Sequence, residues 1–246
     1  MRTDRKTFLR MMEAVAVLPR AAKLSSQQTA TAAPELQFAA RVMEDCGAAL
    51  RCALCNIGDR VGLFKAMADS GPVTAAELAR KTTLNARLLR DWLNAIAAAS
   101  YVEYRAADKT YRLPKEHVVV LADEESVLFM GGLFQMFGGM VTAAPKVASS
   151  FQTGKAVPAS EFPADIYAGI DRAGAPQFKH ELVQSWIPLL PEVRQKLLAG
   201  GSAADVGCGT GLASIVLAKA FPKSQFAGYD PYAPSIRIAR DRAKKE

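Results

Sequence analysis

The sequence predicts a mainly α chain that turns to α/β near its end: a helical domain closed by a β-hairpin, connecting helices, then about two parallel strands around a glycine turn. Three observations predict it. Between residues 36 and 113 the pattern runs helix, helix, helix, hairpin. Ala203-Ala204-Asp205-Val206-Gly207-Cys208-Gly209-Thr210-Gly211 reads as the end of a buried strand, a glycine turn and the start of a helix at Leu212. Phe226-Ala227-Gly228-Tyr229-Asp230 then reads as a second strand ending in an acid.

Composition sets the outer limits. The 246 residues leave room for one large or two small domains. Half are hydrophobic, so a sizeable core is possible. No apolar run approaches the ~20 residues of a membrane span. The net charge of +7 sits at the two ends. Residues 1–25 hold six basic and two acidic side chains, residues 237–246 five and two, and the remainder is neutral. The body is therefore not a basic surface of the size nucleic acid requires.

Residues 1–34 read as a basic leader and linker. Asp4-Arg5-Lys6-Thr7-Phe8-Leu9-Arg10 resembles a twin-arginine export run with Lys6 in place of the second arginine. Glu13 and Pro19 interrupt the apolar stretch that export would need, so a cytoplasmic chain is expected. Residues 35–125 form the helix-and-hairpin domain. Leu50, Leu54, Ile57, Val61 and Leu63-Phe64 fall at helical spacing until Gly71-Pro72. Thr74 caps a short helix, Ala75–Lys81, with Glu77 placed for a capping box. Asn85 caps Ala86–Ala99, which carries Leu88, Leu89, Trp92, Leu93 and Ile96. Tyr101–Tyr104 and Thr110–Leu113 alternate as the two strands of the wing.

This order is that of a winged helix. As a DNA reader, the helix after Asn85 would enter a major groove, offering Arg87 and Arg90 against Asp91. As a dimerisation module, its apolar surface would pack on a second copy. The neutral body favours the second. Cys52 and Cys55 lie in the first long helix, and His117 and His180 lack metal-site spacing. Buried thiols are expected rather than a metal or redox centre, and no metal ligands are assigned.

Residues 126–200 read as connecting and lid helices. Ser126 to Phe151 is apolar almost throughout and is expected to bury its Met and aromatic stripe. A substrate-pocket wall or a dimer seam is the alternative. A loop covers Thr153–Asp165, and helices follow over Ile166–Ala173, Pro176–Trp186 and Leu190–Ala199. Phe178, His180 and Trp186 are the candidates to line a lid over a ligand.

Residues 201–246 hold the chemistry. In a strand–turn–helix, glycines permit the tight turn, the approach of backbone N–H groups to a ligand and close helix packing. The helix N-terminus favours an anionic group. Asp205 is an acceptor at the same crevice. An acid about twenty residues on, here Asp230, bonds ribose hydroxyls in nucleotide-binding α/β folds. The spacing also fits a dinucleotide unit, but there the fingerprint is G-x-G-x-x-G, and here the third glycine comes one residue early.

Asp-x-Gly-x-Gly-x-Gly followed by a strand-end acid resembles the nucleotide site of class I S-adenosylmethionine-dependent methyltransferases. From about Cys46 to Arg240 the chain is similar to bacterial methyltransferases carrying an N-terminal winged helix of the mycobacterial regulator-like type. Ile57–Phe64, Leu89–Leu93, Leu113–His117, Val120–Glu124, Trp186-Ile187-Pro188 and Asp205–Gly211 carry that resemblance. It implies S-adenosylmethionine as donor, a homodimer formed through the N-terminal domain, and a small-molecule acceptor. Cofactor contacts carry over to Asp205, Gly207, Cys208, Gly209, Gly211 and Asp230, with Phe178 and Trp186 from the lid. Thr210 departs from the histidine expected in many such proteins. No catalytic base is assigned.

A class I sheet has about seven strands, and two are legible here. The expectation is a Rossmann-like methyltransferase fold represented by its first half, truncated and impaired or inactive. The alternative is a winged-helix dimerisation or DNA-binding regulator with a remnant nucleotide site.

Overall fold

The computed structural model describes residues 33–246. The leader and its twin-arginine-like run lie outside the described residues. The chain divides into two compact units, the first ending at Asp123 and the second running Glu124–Glu246.

The first unit opens with α1, Pro34–Arg60, whose proline at the start presets the helical φ. Gly62, at φ 72°, turns the chain into α2, Leu63–Ala68. Val61 falls in this break and is exposed, so it does not join the apolar face expected of it. After β1, Val73–Thr74, comes α3, Ala75–Thr82. The capping box is closed in both directions. Thr74 Oγ1 accepts from the Glu77 N–H at 3.3 Å, and the Glu77 carboxylate accepts from the Thr74 N–H at 2.8 Å. Those bonds hold the Glu77 carboxyl below the usual carboxylate range. Thr74→Ala should destabilise this unit by about 1 kcal/mol, read as a lower midpoint in urea unfolding followed by circular dichroism. A variant of wild-type stability would show that the cap is idle.

Asn85 Oδ1 accepts from the N–H groups of Arg87 and Leu88, both at 3.1 Å, and starts α4, Ala86–Ala98. The wing follows as β2, Glu103–Arg105, and β3, Thr110–Arg112. The sheet order is β1-β3-β2, antiparallel throughout, with Tyr104 opposite Tyr111. Tyr101 and Val102, expected in the first wing strand, precede it. An unforeseen helix, α5, Lys115–Leu121, closes the unit after Pro114.

The core of this unit is Leu54, Phe64, Met67, Leu78, Trp92, Leu93 and Ile96. The apolar residues of α4 therefore face their own domain. Leu89, Trp92, Leu93 and Ile96 are buried, and only Leu88 points outward among its large apolar side chains. Of the cysteines on α1, Cys46 is exposed and Cys52 half-buried, contrary to expectation. Cys55 is buried, which pushes its thiol up to about 12.

The second unit pairs two long helices, α6 (Gly131–Thr153) and α7 (Ala164–His180). The Met and aromatic stripe of α6 was expected inside, yet Phe137, Met140 and Val141 are exposed and Phe151 is 89% exposed. The packed face is instead Gly132, Met136, Gly139 and Ala143, spaced i, i+4, i+7, i+11. A Cβ on Gly132 would lie 2.4 Å from the Ala173 backbone N, and one on Gly169 would lie 2.5 Å from the Gly132 carbonyl O. The helices touch backbone to backbone, leaving no room between them for large side chains.

The expected break between Ala173 and Pro176 is absent. Helix α7 runs through Pro176, which is fully buried. The expected helix to Trp186 becomes a π-turn over Leu182–Trp186, with the Trp186 N–H bonded to the Glu181 carbonyl, and then a 3-10 turn, Ile187–Leu189. Helix α8, Pro191–Ala199, leads into β4, Ser202–Val206. Then come α9 (Leu212–Ala220), β5 (Gln225–Tyr229) and α10 (Ala233–Lys245). Strands β4 and β5 pair in parallel, with Asp205 opposite Gly228 and Val206 opposite Tyr229. The strand expected to be buried is open: Val206 is 85% exposed, because the described sheet has two strands. A small core of Ile187, Leu197 and Phe221 holds this end together. No described helix is long and apolar enough to cross a membrane.

Candidate functional site

The two strands end together, so the segments after Val206 and Tyr229 share one crevice at the carboxyl edge of the sheet. Ligands of open α/β sheets bind at that edge. The strand-to-helix elbow expected between Val206 and Leu212 is present. Gly207, Gly209 and Gly211 adopt φ of 83°, 53° and 77°, values that side-chain-bearing residues rarely take. A Cβ on Gly207 or Gly209 would meet nothing within 4 Å. These two are thus set by backbone conformation and leave open space beside the loop. Gly211 is different, since its Cβ would come within 2.9 Å of the Ala239 Cβ on α10.

The loop amides do not point outward as the sequence suggested. The N–H groups of Gly207 and Cys208 both donate to the Tyr229 carbonyl, at 2.7 and 3.0 Å. The Gly211 N–H donates to the Cys208 carbonyl at 2.9 Å. The Gly209 N–H donates to Asp230 Oδ2 at 2.9 Å. Asp230 Oδ1 accepts from the Tyr232 N–H at 2.8 Å. Asp230 therefore stitches the loop after β4 to the loop after β5. Each carboxylate oxygen retains a second lone pair for a ligand hydroxyl.

Asp205 is half-buried on β4 and accepts from Ser214 Oγ at 2.8 Å. Cys208 lies over Gly228, where a Cβ would be 2.8 Å from the Cys208 Sγ. Burial, followed by the charges of Asp205 and Asp230, pushes the Cys208 thiol up.

Helix α7 adds two residues that the sequence reading missed. Tyr167 and Asp171 fall on the face that carries the expected Phe178, spaced i, i+4 and i+11. Tyr167 stacks on Tyr232, with ring centroids 3.8 Å apart, and its hydroxyl donates to the Ala159 carbonyl at 2.7 Å. Burial, then Tyr232 and Asp230, raise the Tyr167 phenol above its usual range. Asp171 takes a bidentate pair from Arg242 on α10, at 3.0 and 2.8 Å, and also accepts from the Thr210 hydroxyl. The helical spacing from Phe178 was visible in the sequence. The expected break at Pro176 concealed it.

Phe178 and Trp186 meet edge to face with centroids 6.2 Å apart, and Trp186 is 42% exposed. They form a pair with each other. His180 lies exposed on the last turn of α7, beside Glu125. Among the described residues no group of three or more His, Cys, Asp or Glu could hold a metal ion.

Comparison with known proteins extends these observations. Residues 48–123 match the model of the Rv2258c-like winged HTH domain. No curated protein sequence matches the chain. Among solved structures it resembles a Nostoc punctiforme protein designated an O-methyltransferase, with 20% identity and a TM-score of 0.61, over 87% of this chain and 61% of that one. CalO1, a methyltransferase in calicheamicin biosynthesis solved in its SAH-bound form, gives 23% identity and a TM-score of 0.56, over 84% and 62%. The mitomycin 7-O-methyltransferase MmcR gives 18% and 0.55, over 87% and 64%. The chain spans about three fifths of the length of the structures it matches. At these identities the likeness is one of fold. The chain therefore carries an Rv2258c-like winged HTH domain over residues 48–123 and shares part of the fold of these solved methyltransferases.

Proposed function

We propose that this chain binds S-adenosylmethionine at the Asp205–Gly211 elbow and that its function is methyl transfer to a small-molecule acceptor. One observation carries the reading. Asp205 lies near the end of β4 and Asp230 follows the adjacent parallel strand, and the loop after β4, with three glycines of positive φ, bonds Asp230 through the Gly209 amide. The polar groups present fit that donor. Asp205 is an acceptor for the ammonium of its amino-acid end, Gly207 and Gly209 leave open space beside the loop, and the spare lone pairs of Asp230 suit its ribose hydroxyls. When bound, the donor supplies an electrophilic methyl on a sulfonium, and the protein's share is proximity and orientation. Phe178 and Trp186 are the lid candidates. Transfer by this chain in isolation is expected to be impaired, because the strand pair beside the elbow lies open at Val206 and Tyr229.

The test is calorimetric titration with S-adenosylhomocysteine. Saturable heat that is lost on Asp230→Ala, with at least about a tenfold weaker Kd, is the expected result, since charged hydrogen bonds to a ligand are of that size. No heat at millimolar ligand would remove cofactor binding from this chain.

The proposed partner in solution is a second copy, docked through the first unit. The seam is assigned to α1, where Leu36, Phe38, Val42 and Met43 are exposed, and not to α4, whose apolar face is buried. Sedimentation should give a dimer. A DNA-binding regulator remains the second reading, favoured by the exposure of Arg87 and Arg90 at the start of α4. Salt-dependent DNA binding that weakens in Arg87→Ala and Arg90→Ala would support it.

A further inference from the structure

Thr210 is an unusual member of the elbow. It lies between two glycines of positive φ, yet it is 8% exposed, while its neighbour Gly209 opens into space. Its hydroxyl is engaged in both of its capacities. It donates to Asp171 Oδ1 and accepts from Arg242 Nη1. The same Arg242 closes the triangle with its bidentate pair onto Asp171, at 3.0 and 2.8 Å. The three residues come from three elements: α7, the elbow, and the last turn of α10.

An Arg–Asp pair needs no third member to be satisfied. A hydroxyl inserted between them with correct donor and acceptor roles ties the loop backbone to two helices at once. Bonds to charged partners are the stronger class, and several of them close a cooperative network. Among the described residues, the elbow makes no other side-chain hydrogen bond to α7. Its amides bond within the loop and to the end of β5, and Gly207 and Gly209 contribute no side chains. The same helix α7 presents Tyr167 one turn earlier against Tyr232, next to Asp230.

We propose that Thr210, Asp171 and Arg242 are positioning residues that hold the donor loop in its binding conformation, coupling the loop to helix α7. The role rests on the cofactor reading above, but the clamp itself exists without ligand and can be tested without it. The hydroxyl is the critical group. Serine can make both bonds, whereas valine has the same shape and can make neither.

The experiment compares Thr210→Val, Thr210→Ser and Arg242→Gln in the full chain. It measures amide hydrogen exchange over Cys208–Gly211 and S-adenosylhomocysteine affinity by calorimetry. Thr210→Val should speed exchange of these amides about tenfold and weaken ligand binding by a similar factor, with Thr210→Ser within about threefold of wild type on both. Arg242→Gln leaves the Thr210–Asp171 bond in place and should fall between them. It also serves if the valine variant fails to fold. Wild-type exchange in both Thr210→Val and Arg242→Gln would overturn the clamp, as would a serine variant as loose as the valine one. If wild type gives no binding heat, the cofactor reading falls while the exchange comparison still decides the clamp.

Discussion

Replacing Gly169 with alanine is expected to destabilise the second unit by about 1–2 kcal/mol, even though alanine is the better helix former. Helix propensity alone favours alanine by about 1 kcal/mol in a helix interior. The added Cβ, however, would lie 2.5 Å from both the Gly132 carbonyl O and the Met136 backbone N, and 2.9 Å from the Met136 Cα. These are backbone atoms, so no side chain can swing aside, and α6 and α7 must separate. Overpacking of a close interface costs about 1–3 kcal/mol or more, which outweighs the propensity gain. Gly132→Ala meets the Ala173 backbone N at 2.4 Å and should behave alike. The double variant should cost less than the two singles together, because one displacement relieves both clashes. Urea unfolding followed by circular dichroism reads the effect. A Gly169→Ala protein as stable as wild type would show that the helices do not meet at their backbones. A displaced α7 also carries Asp171 and Tyr167 with it, so the same variant should loosen the elbow and lower ligand affinity.

Trp92→Ala is expected to cost the first unit about 4 kcal/mol, the usual size for truncating a large buried aromatic. Trp92 is 2% exposed and sits edge-on to Phe64, with centroids 5.4 Å apart. Its indole N–H donates to the Leu54 carbonyl at 2.9 Å, joining α4 to α1. The ring also fills the space against Gly58, where a Cβ would lie 2.3 Å from the ring. Trp92→Phe keeps part of the volume but loses the hydrogen bond, and about 2 kcal/mol is expected. Losses of this size are a large share of a typical domain's stability. A Trp92→Ala variant within 1 kcal/mol of wild type, by the same urea measurement, would mean that the core is centred elsewhere.

Much of the site was legible in the residues because its signals are local. A glycine elbow, a strand-end acid and a capping box each bring together atoms a few bonds apart. Chain stereochemistry then leaves few alternatives. Thr74 with Glu77, Asn85 at its helix start, and the turn between Val206 and Leu212 all fall as read. The misreadings are non-local. Pro176 looks like a helix break in sequence, but it is buried inside α7. The apolar run of α6 looks like core, yet its packing face is mostly glycine and alanine, with Met136 alone among its large side chains. Which stripe of an all-apolar helix turns inward depends on the partner it meets, and α7 offers Gly169 and Ala173.

By itself, then, the sequence determined the winged-helix order, the parallel strand pair and the glycine elbow between Val206 and Leu212, because backbone conformation and pairing register follow from residue type and spacing. Only the tertiary structure decided that Asp230 bonds the Gly209 amide, that α4 buries its apolar face at home, and that Asp171 and Arg242 meet at Thr210. Asp171 lies 39 residues from Thr210 and 71 from Arg242 along the chain. Contacts at such separations are set by how whole helices pack, which no local pattern records.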